Sequence, residues 1–207
     1  MATNKISKKL LKRLPIYLDY LKTLPEETEY ISATTMAKHL ELGDVQVRKD
    51  LAIISDTGRQ KIGRPRKQLI QDIEQYLDLA TQTNAVVVGA GNLGQALLEY
   101  SGFSEFGMHI IAAFDIQSSG KYSKSEKPIY AMNRLRFFCR THNVSIGIIT
   151  VPAESAQDVC DHLIECGIQA IWNFAPTHLT VPDNVVLHNE NLAVSLTSLR
   201  IQLTNQT

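Results

Sequence analysis

This chain of 207 residues has only three cysteines, Cys139, Cys160 and Cys166. None stands in a C-x-x-C pair or at a metal-ligand spacing, which argues against a disulfide-stapled scaffold and a zinc module. Buried, reduced thiols in a cytoplasmic protein are expected instead, with no metal site. No apolar run approaches the length of about 18 residues that a membrane span requires. The lysine-rich N-terminus lacks the apolar stretch that would follow in a signal peptide, so neither secretion nor membrane insertion is expected. Net charge is absent as well: 21 Lys and Arg stand against 21 Asp and Glu, so any charged face has to be local. No histidine or lysine has a second polar partner that would make it an obvious proton donor. His109, His142, His178 and His188 read as surface or structural residues, and no catalytic residue is assigned. A composition 44% hydrophobic and 20% charged excludes the disordered and fibrous classes.

The charge that is present is unevenly placed. Residues 1–80 carry 14 basic against 11 acidic residues, a balance of +3, and the remainder carries 7 against 10, a balance of −3. Within the first part, Arg48, Lys49, Arg59, Lys61, Arg64, Arg66 and Lys67 face only Asp50 and Asp56, a candidate polyanion-binding face.

The chain is organised around residues 85–115. Ala85-Val86-Val87-Val88 reads as a buried strand that runs into Gly89-Ala90-Gly91-Asn92-Leu93-Gly94, a G-x-G-x-x-G spacing. The first glycine allows the tight turn, the second lets a pyrophosphate approach the backbone, and the third lets the next helix pack on its strand. That helix, Gln95 to about Tyr100, presents free N–H groups and a positive dipole end to an anion. Met108 to Phe114 reads as the second strand, and Asp115 ends it, 21 residues beyond Gly94. An acid there accepts both ribose hydroxyls of an adenosine and repels a 2′-phosphate, which favours NAD over NADP.

From the start of the chain, Leu10, Leu14, Tyr17, Leu18, Leu21 and Leu24 recur at helical spacing. They predict an amphipathic helix from Ser7 as N-cap to Leu24, bent or restarted at Pro15 and closed by Pro25. Ser32 or Thr34 caps a short helix to about Leu40. Gly43 then supplies a left-handed turn, and Asp44 caps a second helix, Val45 to about Ile54. Two short helices about a glycine turn make a helix-turn-helix, whose second helix would present Gln46, Arg48 and Lys49 to the major groove with Val47, Leu51 and Ile54 facing the core. A short helical hairpin inside a core fits this segment as well. Residues 55–66 have the glycine and basic character of a wing, with Arg59, Lys61 and Arg64 as backbone or minor-groove contacts, and Gly63-Arg64-Pro65-Arg66 resembles an A·T hook. An ordinary basic loop fits them equally.

Leu69, Ile73, Tyr76, Leu77 and Ala80 mark a further helix, and 81–84 a polar break at the domain boundary. Ser118 to Lys127 reads as a mobile loop beside the adenosine site. Val144 to Val151, the helix Ala153 to Cys166 stopped by Gly167, Ile168 to Phe174, and Val185 to Leu187 continue the alternation of a parallel sheet. Ligands sit at strand ends in such sheets, so Thr150-Val151-Pro152 and Asn173-Phe174-Ala175-Pro176 are candidate walls of a nicotinamide pocket; Pro152 and Pro176 serve equally well as plain strand stops. Leu192, Leu196, Leu199 and Leu203 form a stripe on a last helix with little chain left to cover it, which points to a second subunit or to folding back on its own domain.

Together these motifs resemble the Rex family of NADH-sensing bacterial repressors. The matches are Arg13-Leu14-Pro15 with Tyr17, Gln46-Val47-Arg48-Lys49-Asp50-Leu51, the glycine turn with Leu93 and Gly94, and Ala113-Phe114-Asp115. They continue through residues 149–153, Gly167-Ile168, residues 170–176 and Glu190-Asn191-Leu192-Ala193. The resemblance implies an α/β protein. An N-terminal winged helix-turn-helix domain (1–80) precedes a Rossmann parallel-sheet domain binding NADH or NAD (81–189) and a C-terminal dimerisation helix (190–207) swapped across a homodimer. It further implies that NADH closes the dimer and releases double-stranded operator DNA, whereas NAD permits binding. By the same resemblance Arg48 and Lys49 contact the operator, Tyr100 lies near the nicotinamide, and Glu190 sits at a hinge. The chain departs from the family pattern after Asp115, at Asp19, where many members have a basic residue, and in its wing. The rival reading is an NAD-dependent dehydrogenase with an accessory N-terminal domain, for which the chain leaves no room for a substrate domain.

Overall fold

The computed structural model describes residues 7–55, 62–117 and 121–204. The chain divides into two compact units, Met1–Thr81 and Gln82–Thr207.

The first unit is built on α1 (Lys8–Thr23), which is one continuous helix across Pro15 rather than two. Its apolar face, Leu10, Leu14, Tyr17, Leu18 and Leu21, is buried. The Ser7 side chain makes no cap bond; its carbonyl accepts the amides of Leu10 and Leu11. The next helix, α2 (Ala33–His39), is capped by Ser32, whose hydroxyl accepts the Thr35 amide at 3.0 Å. The turn to α3 (Asp44–Ile54) differs from the expected one. Glu41, not Gly43, takes the positive φ of 53°, and Gly43 is the extended N-cap, which leaves Asp44 as the first residue of the helix. Val47 and Leu51 are fully buried on the inner face of α3, and Ile54 is half-buried.

A strand that the sequence did not suggest, β1 (Tyr30–Ile31), pairs antiparallel with β2 (Arg64–Pro65). The described part of the wing is thus this two-residue ladder, too short for periodicity to signal. Gly63 precedes it at a φ of 94°. A Cβ there would run into the Ile31 carbonyl, so only glycine fits. Arg59 and Lys61 lie outside the described residues. Arg66 opens α4 (Arg66–Tyr76) and does not belong to a basic face. It is buried, and its Nε donates to the Leu21 carbonyl at 2.8 Å, which satisfies the C-terminal end of α1.

The second unit carries a seven-stranded sheet. Its strands are β3 (Thr83–Val88), β4 (Met108–Asp115), β5 (Lys121–Tyr122), β6 (Pro128–Ala131), β7 (Val144–Ile149), β8 (Ala170–Asn173) and β9 (Val186–Asn189), in the order β5-β6-β4-β3-β7-β8-β9. All pairs are parallel except β5 with β6. With the edge strand β5 set aside, this is the doubly wound Rossmann order, and the direction of winding reverses between β3 and β7. Residues 118–127 are not loop throughout, since β5 falls within them. β6 and the helix α6 (Leu135–Thr141) complete a βα unit that sequence pattern did not resolve.

The two faces of the sheet are covered unequally. One face packs on α6, on α7 (Ala153–Glu165) and on residues 175–185, burying Val86, Phe114, Leu135, Cys160, Leu163 and Ile171 among others. All three cysteines are buried and free; burial pushes the Cys139 thiol up to about 12 and Cys160 to about 11, far from the thiolate form. The other face is covered by α5 (Asn92–Glu99) and a 3₁₀ turn at Ser101–Phe106, over Ala85, Val87, Ile110, Ala113 and Ile148. Beyond them the flanks of β7, β8 and β9 form an open apolar groove of about 290 Å³ around Trp172. The last helix, α8 (Leu192–Thr204), is exposed along its whole length.

Candidate functional site

The point where the sheet reverses its winding is held together by hydrogen bonds between two strand ends. The Thr150 amide donates to the Val88 carbonyl at 2.9 Å, and the Thr150 hydroxyl donates to the Gly89 carbonyl at 2.8 Å. Gly89 has a φ of 102°, and a Cβ on it would sit 2.8 Å from the Thr150 carbonyl oxygen, so the first glycine of the motif is required by the turn. A Cβ on Gly94 would run into the Gly89 carbonyl, so the third glycine is required by the contact of α5 with the turn. Gly91 differs from both. It is the N-cap of α5 in an extended conformation, and a Cβ there meets no atom within 4 Å. The helix starts at Asn92 rather than at Gln95, so the amides of Asn92, Leu93 and Gly94 form its first turn and have no acceptor within it.

Asp115, at the tip of β4, closes the opposite side. Its Oδ2 accepts the Ala90 amide at 2.7 Å and its Oδ1 accepts the Gln117 amide at 2.8 Å. Each carboxylate oxygen retains a lone pair for a further donor. These groups surround a cavity of about 520 Å³ that brings together Gly89, Gly91, Asp115, Thr150, Val151 and Pro152. Sequence reading missed Ile116, Met132, Ser155 and Val159, which also line it. Ser155 and Val159 follow Pro152 at one-turn spacing on α7, a signal available in the sequence. Met132 follows β6, a strand that was not recognised.

Three of the expected residues lie elsewhere. Asn173 is fully buried, and its side-chain nitrogen donates to the carbonyls of Ala175 and Thr177 and to Asn189 Oδ1 while its oxygen accepts the Ala175 amide. Its amide is fully occupied, so it braces the end of β8 and presents no surface to a pocket. Phe174 and Tyr100 belong to a series of rings, Tyr100–Phe103–Trp172–Phe174, with centroid separations of 5.0, 5.9 and 4.6 Å. Tyr100 itself is 60% exposed at the C-terminal end of α5.

The cavity fits a dinucleotide. Space opens beside Gly91 where a side chain would otherwise stand, Gly91 is itself the N-cap from which α5 and its free first-turn amides begin, and the Asp115 carboxylate also lines the cavity. A pyrophosphate suits the first two features and ribose hydroxyls suit the third.

On the first unit, α3 presents Gln46, Arg48 and Lys49 on its exposed side. Arg48 pairs with Asp44 at 2.6 Å across one helical turn, and Asp44 also accepts the Thr34 hydroxyl at 2.8 Å. Gln46 donates to Asp50, a buried carboxylate that also binds Arg13 and Tyr17. Arg64 is half-buried; its Nη2 reaches the Ser55 carbonyl at 3.5 Å, and its Nε has no hydrogen-bond partner among the described residues. Among the described residues no group of His, Cys, Asp and Glu gathers to hold a metal, and no helix is long and apolar enough to cross a membrane.

A small helical unit with a solvent-facing helix after a tight turn, joined in one chain to a Rossmann sheet with a dinucleotide-shaped cavity, defines a ligand-responsive DNA-binding regulator. Residues 5–52 match the family model described as "Putative DNA-binding protein N-terminus", and residues 80–177 match that of a CoA binding domain. The chain is 40% identical to the redox-sensing transcriptional repressor Rex of Treponema denticola, with 93% of each chain covered. It is 39% identical to Rex of Clostridium botulinum over the full length of both. Among solved structures, the Rex-family repressor RSP in complex with NAD⁺ and operator DNA superposes with a TM-score of 0.86 at 32% identity, covering 97% of this chain and 94% of that one. RSP in complex with NADH superposes with a TM-score of 0.84 at 30% identity, covering 98% and 96%. The chain belongs to the Rex family of redox-sensing transcriptional repressors. These are regulators and not enzymes, which sets the dehydrogenase reading aside.

Proposed function

We propose that this protein represses transcription by binding double-stranded operator DNA as a homodimer and lets go when NADH fills the cavity at the reversal point of the sheet, so that transcription follows the NADH/NAD ratio. The observation that carries this reading is the cavity itself. It joins the glycine turn, through Gly89 and the α5 N-cap Gly91, to Asp115 in the arrangement a dinucleotide needs, in a chain whose relative RSP has been captured both with NAD⁺ on DNA and with NADH.

The amides of Asn92, Leu93 and Gly94 hold the pyrophosphate beside Gly89 and Ala90, and Asp115 accepts the adenosine ribose hydroxyls and repels a 2′-phosphate. Thr150, Val151 and Pro152 wall the cavity toward the nicotinamide, with Tyr100 and Phe174 beyond them. Reduced nicotinamide is neutral and oxidised nicotinamide is a cation, so apolar walls desolvate NADH at lower cost. Each ligand moves the protein between states only by its differential affinity for them, and a shift from 1:99 to 99:1 requires a preference of about 10⁴. On the DNA side, α3 enters the major groove with Gln46, Arg48 and Lys49, and Arg59, Lys61 and Arg64 of the wing follow the backbone.

The homodimer reading is supported by α8 and by the open groove. Leu192, Val194, Leu196, Leu199, Ile201 and Leu203 are all more than half exposed on α8. The four leucines share one face of α8 with Val194 and Ile201 on the opposite one, and an apolar face left in water needs a partner; α8 of a second copy supplies what the open flank around Trp172 lacks. Cytoplasmic location accords with a repressor that works on DNA.

The deciding experiment is a fluorescence-anisotropy titration onto a labelled duplex selected from a random pool, at fixed salt, with NADH, NAD or NADPH present. NADH is expected to release the duplex, and NAD and NADPH to leave it bound. A duplex retained under all three nucleotides overturns the reading. Arg48→Ala serves as the control for the DNA side: it is expected to weaken duplex binding, lower the salt dependence by about one phosphate contact, and spare NADH affinity.

A further inference from the structure

The hydrogen bonding of Asp50 is complete. This carboxylate is 2% exposed. Its Oδ2 accepts Arg13 Nε at 2.6 Å and the Tyr17 hydroxyl at 2.8 Å, and its Oδ1 accepts Arg13 Nη2 at 2.9 Å and Gln46 Nε2 at 2.8 Å. A carboxylate offers about four lone-pair sites, so no further donor is needed. Arg13 and Tyr17 come from successive turns of α1 and fasten the carboxylate to the body of the unit. Gln46 is the one donor of the three residues that stands on the exposed side of α3, one turn ahead of Asp50.

This geometry settles something that a free glutamine leaves open. An ionised carboxylate only accepts, so the Gln46 amide has to turn its nitrogen toward Asp50 and its two ends cease to be interchangeable. One N–H of Nε2 is used; the second N–H and Oε1 remain as a fixed donor beside a fixed acceptor. That edge complements N7 and N6 of adenine in the major groove. Guanine, with acceptors at both positions, would set one of them against Oε1. Fixing the amide beforehand also lowers the ordering cost of the contact.

We propose that Gln46 reads one adenine in each operator half-site, and that Asp50 is the positioning residue that fixes the Gln46 amide for this contact. The inference rests on α3 being the recognition helix, as in the reading above. It separates the roles on α3: Gln46 selects a base, and Arg48 and Lys49 add affinity.

The test uses the full-length protein and a duplex that it selects from a random pool. Each adenine of a half-site is replaced in turn by 7-deazaadenine, which keeps its pairing and lacks the N7 acceptor. The wild-type protein is expected to lose about tenfold in affinity at one position. Gln46→Ala is expected to lose nothing further at that position and to match wild type at the others. Equal losses in both proteins at every adenine overturn the base contact. Asp50→Asn, checked for folding by circular dichroism, is expected to lose discrimination at the same adenine without changing the salt dependence on the unmodified duplex. Retained discrimination overturns the positioning role. Should Asp50→Asn fail to fold, the side-chain amide of Gln46 in the free wild-type protein decides: a ¹H–¹⁵N nuclear Overhauser effect near that of the backbone is expected, and a value near zero overturns the fixed orientation. A protein that selects no duplex overturns the operator reading and this inference with it. Selection of a duplex with equal losses overturns the adenine contact alone.

Discussion

Asp115 Oδ2 accepts the backbone N–H of Ala90 at 2.7 Å, so the tip of β4 and the glycine turn after β3 are held as one unit. The residue proposed to discriminate between cofactors is thereby also a brace of the glycine turn.

Replacing Asp115 with Ala removes both functions. NADH affinity is expected to fall about tenfold, in line with the loss of charge-assisted hydrogen bonds to the ribose, and the preference for NADH over NADPH is expected to narrow. Titration of NADH and NADPH by nucleotide fluorescence measures both, and an unchanged preference would remove Asp115 from the discrimination.

Gly91 and Gly94 of the motif are expected to respond differently to substitution. Gly91→Leu places its side chain in open space, so the melting temperature should hold while NADH no longer releases the duplex. Gly94→Ala drives a methyl group into the Gly89 carbonyl, so the second unit itself should lose stability. Thermal melts of the two variants beside anisotropy titrations separate blocked binding from damaged folding. A Gly91→Leu protein that still releases DNA with NADH would place the pyrophosphate elsewhere.

Arg13→Ala leaves the Asp50 carboxylate buried with its bidentate partner gone, and a loss of about 3 kcal/mol is expected from the first unit. Acid and base should act on the same network from opposite ends. Burial pushes the Asp50 carboxyl up, but hydrogen bonds from Arg13, Tyr17 and Gln46 outweigh it and leave the group below its ordinary value of 3.8. The stability it provides is therefore present above that value and is lost as pH falls through the lower folded-state value. Burial and the bond to Asp50 push Tyr17 up to about 12 from 10.0, so its contribution is full below 10.0 and is lost as pH rises toward about 12. Urea unfolding across these two ranges checks both signs, and Tyr17→Phe should abolish the alkaline loss.

Leu196→Glu combined with Leu199→Glu puts two charges on α8 without touching the core, since both leucines are more than half exposed. Light scattering is expected to show the wild-type chain as a dimer and the variant as a monomer with an unchanged far-ultraviolet spectrum. A wild-type monomer would send α8 back to its own domain.

Sequence determined what local periodicity and glycine stereochemistry can encode. The stripe from Leu10 to Leu21 on α1, the β-branched run of β3, the strand-glycine-helix succession and the acid ending β4 are each written in neighbouring residues, and each stands where the pattern placed it except that α5 begins three residues earlier, at Asn92. The stop at Gly167 is of the same kind, a φ of 96° that only a residue without a side chain adopts at low cost. Tertiary structure decided the rest. The two-residue ladder of β1 and β2 has no period to detect, because its pairing joins Tyr30 to Pro65 across 35 positions of chain. Asn173 ends a strand as a pocket wall would, but its amide is occupied by Ala175, Thr177 and Asn189. Arg66 is one more positive charge in the sequence, but the fold buries it at the end of α1. Gln46 and Asp50 were neighbours on a helix in the sequence, but Arg13 and Tyr17 from α1 complete the carboxylate's bonds and fix the amide. Spacing along a chain fixes which residues share a face, whereas the partner of a polar group is chosen by whatever donor or acceptor the fold brings within about 3 Å of it.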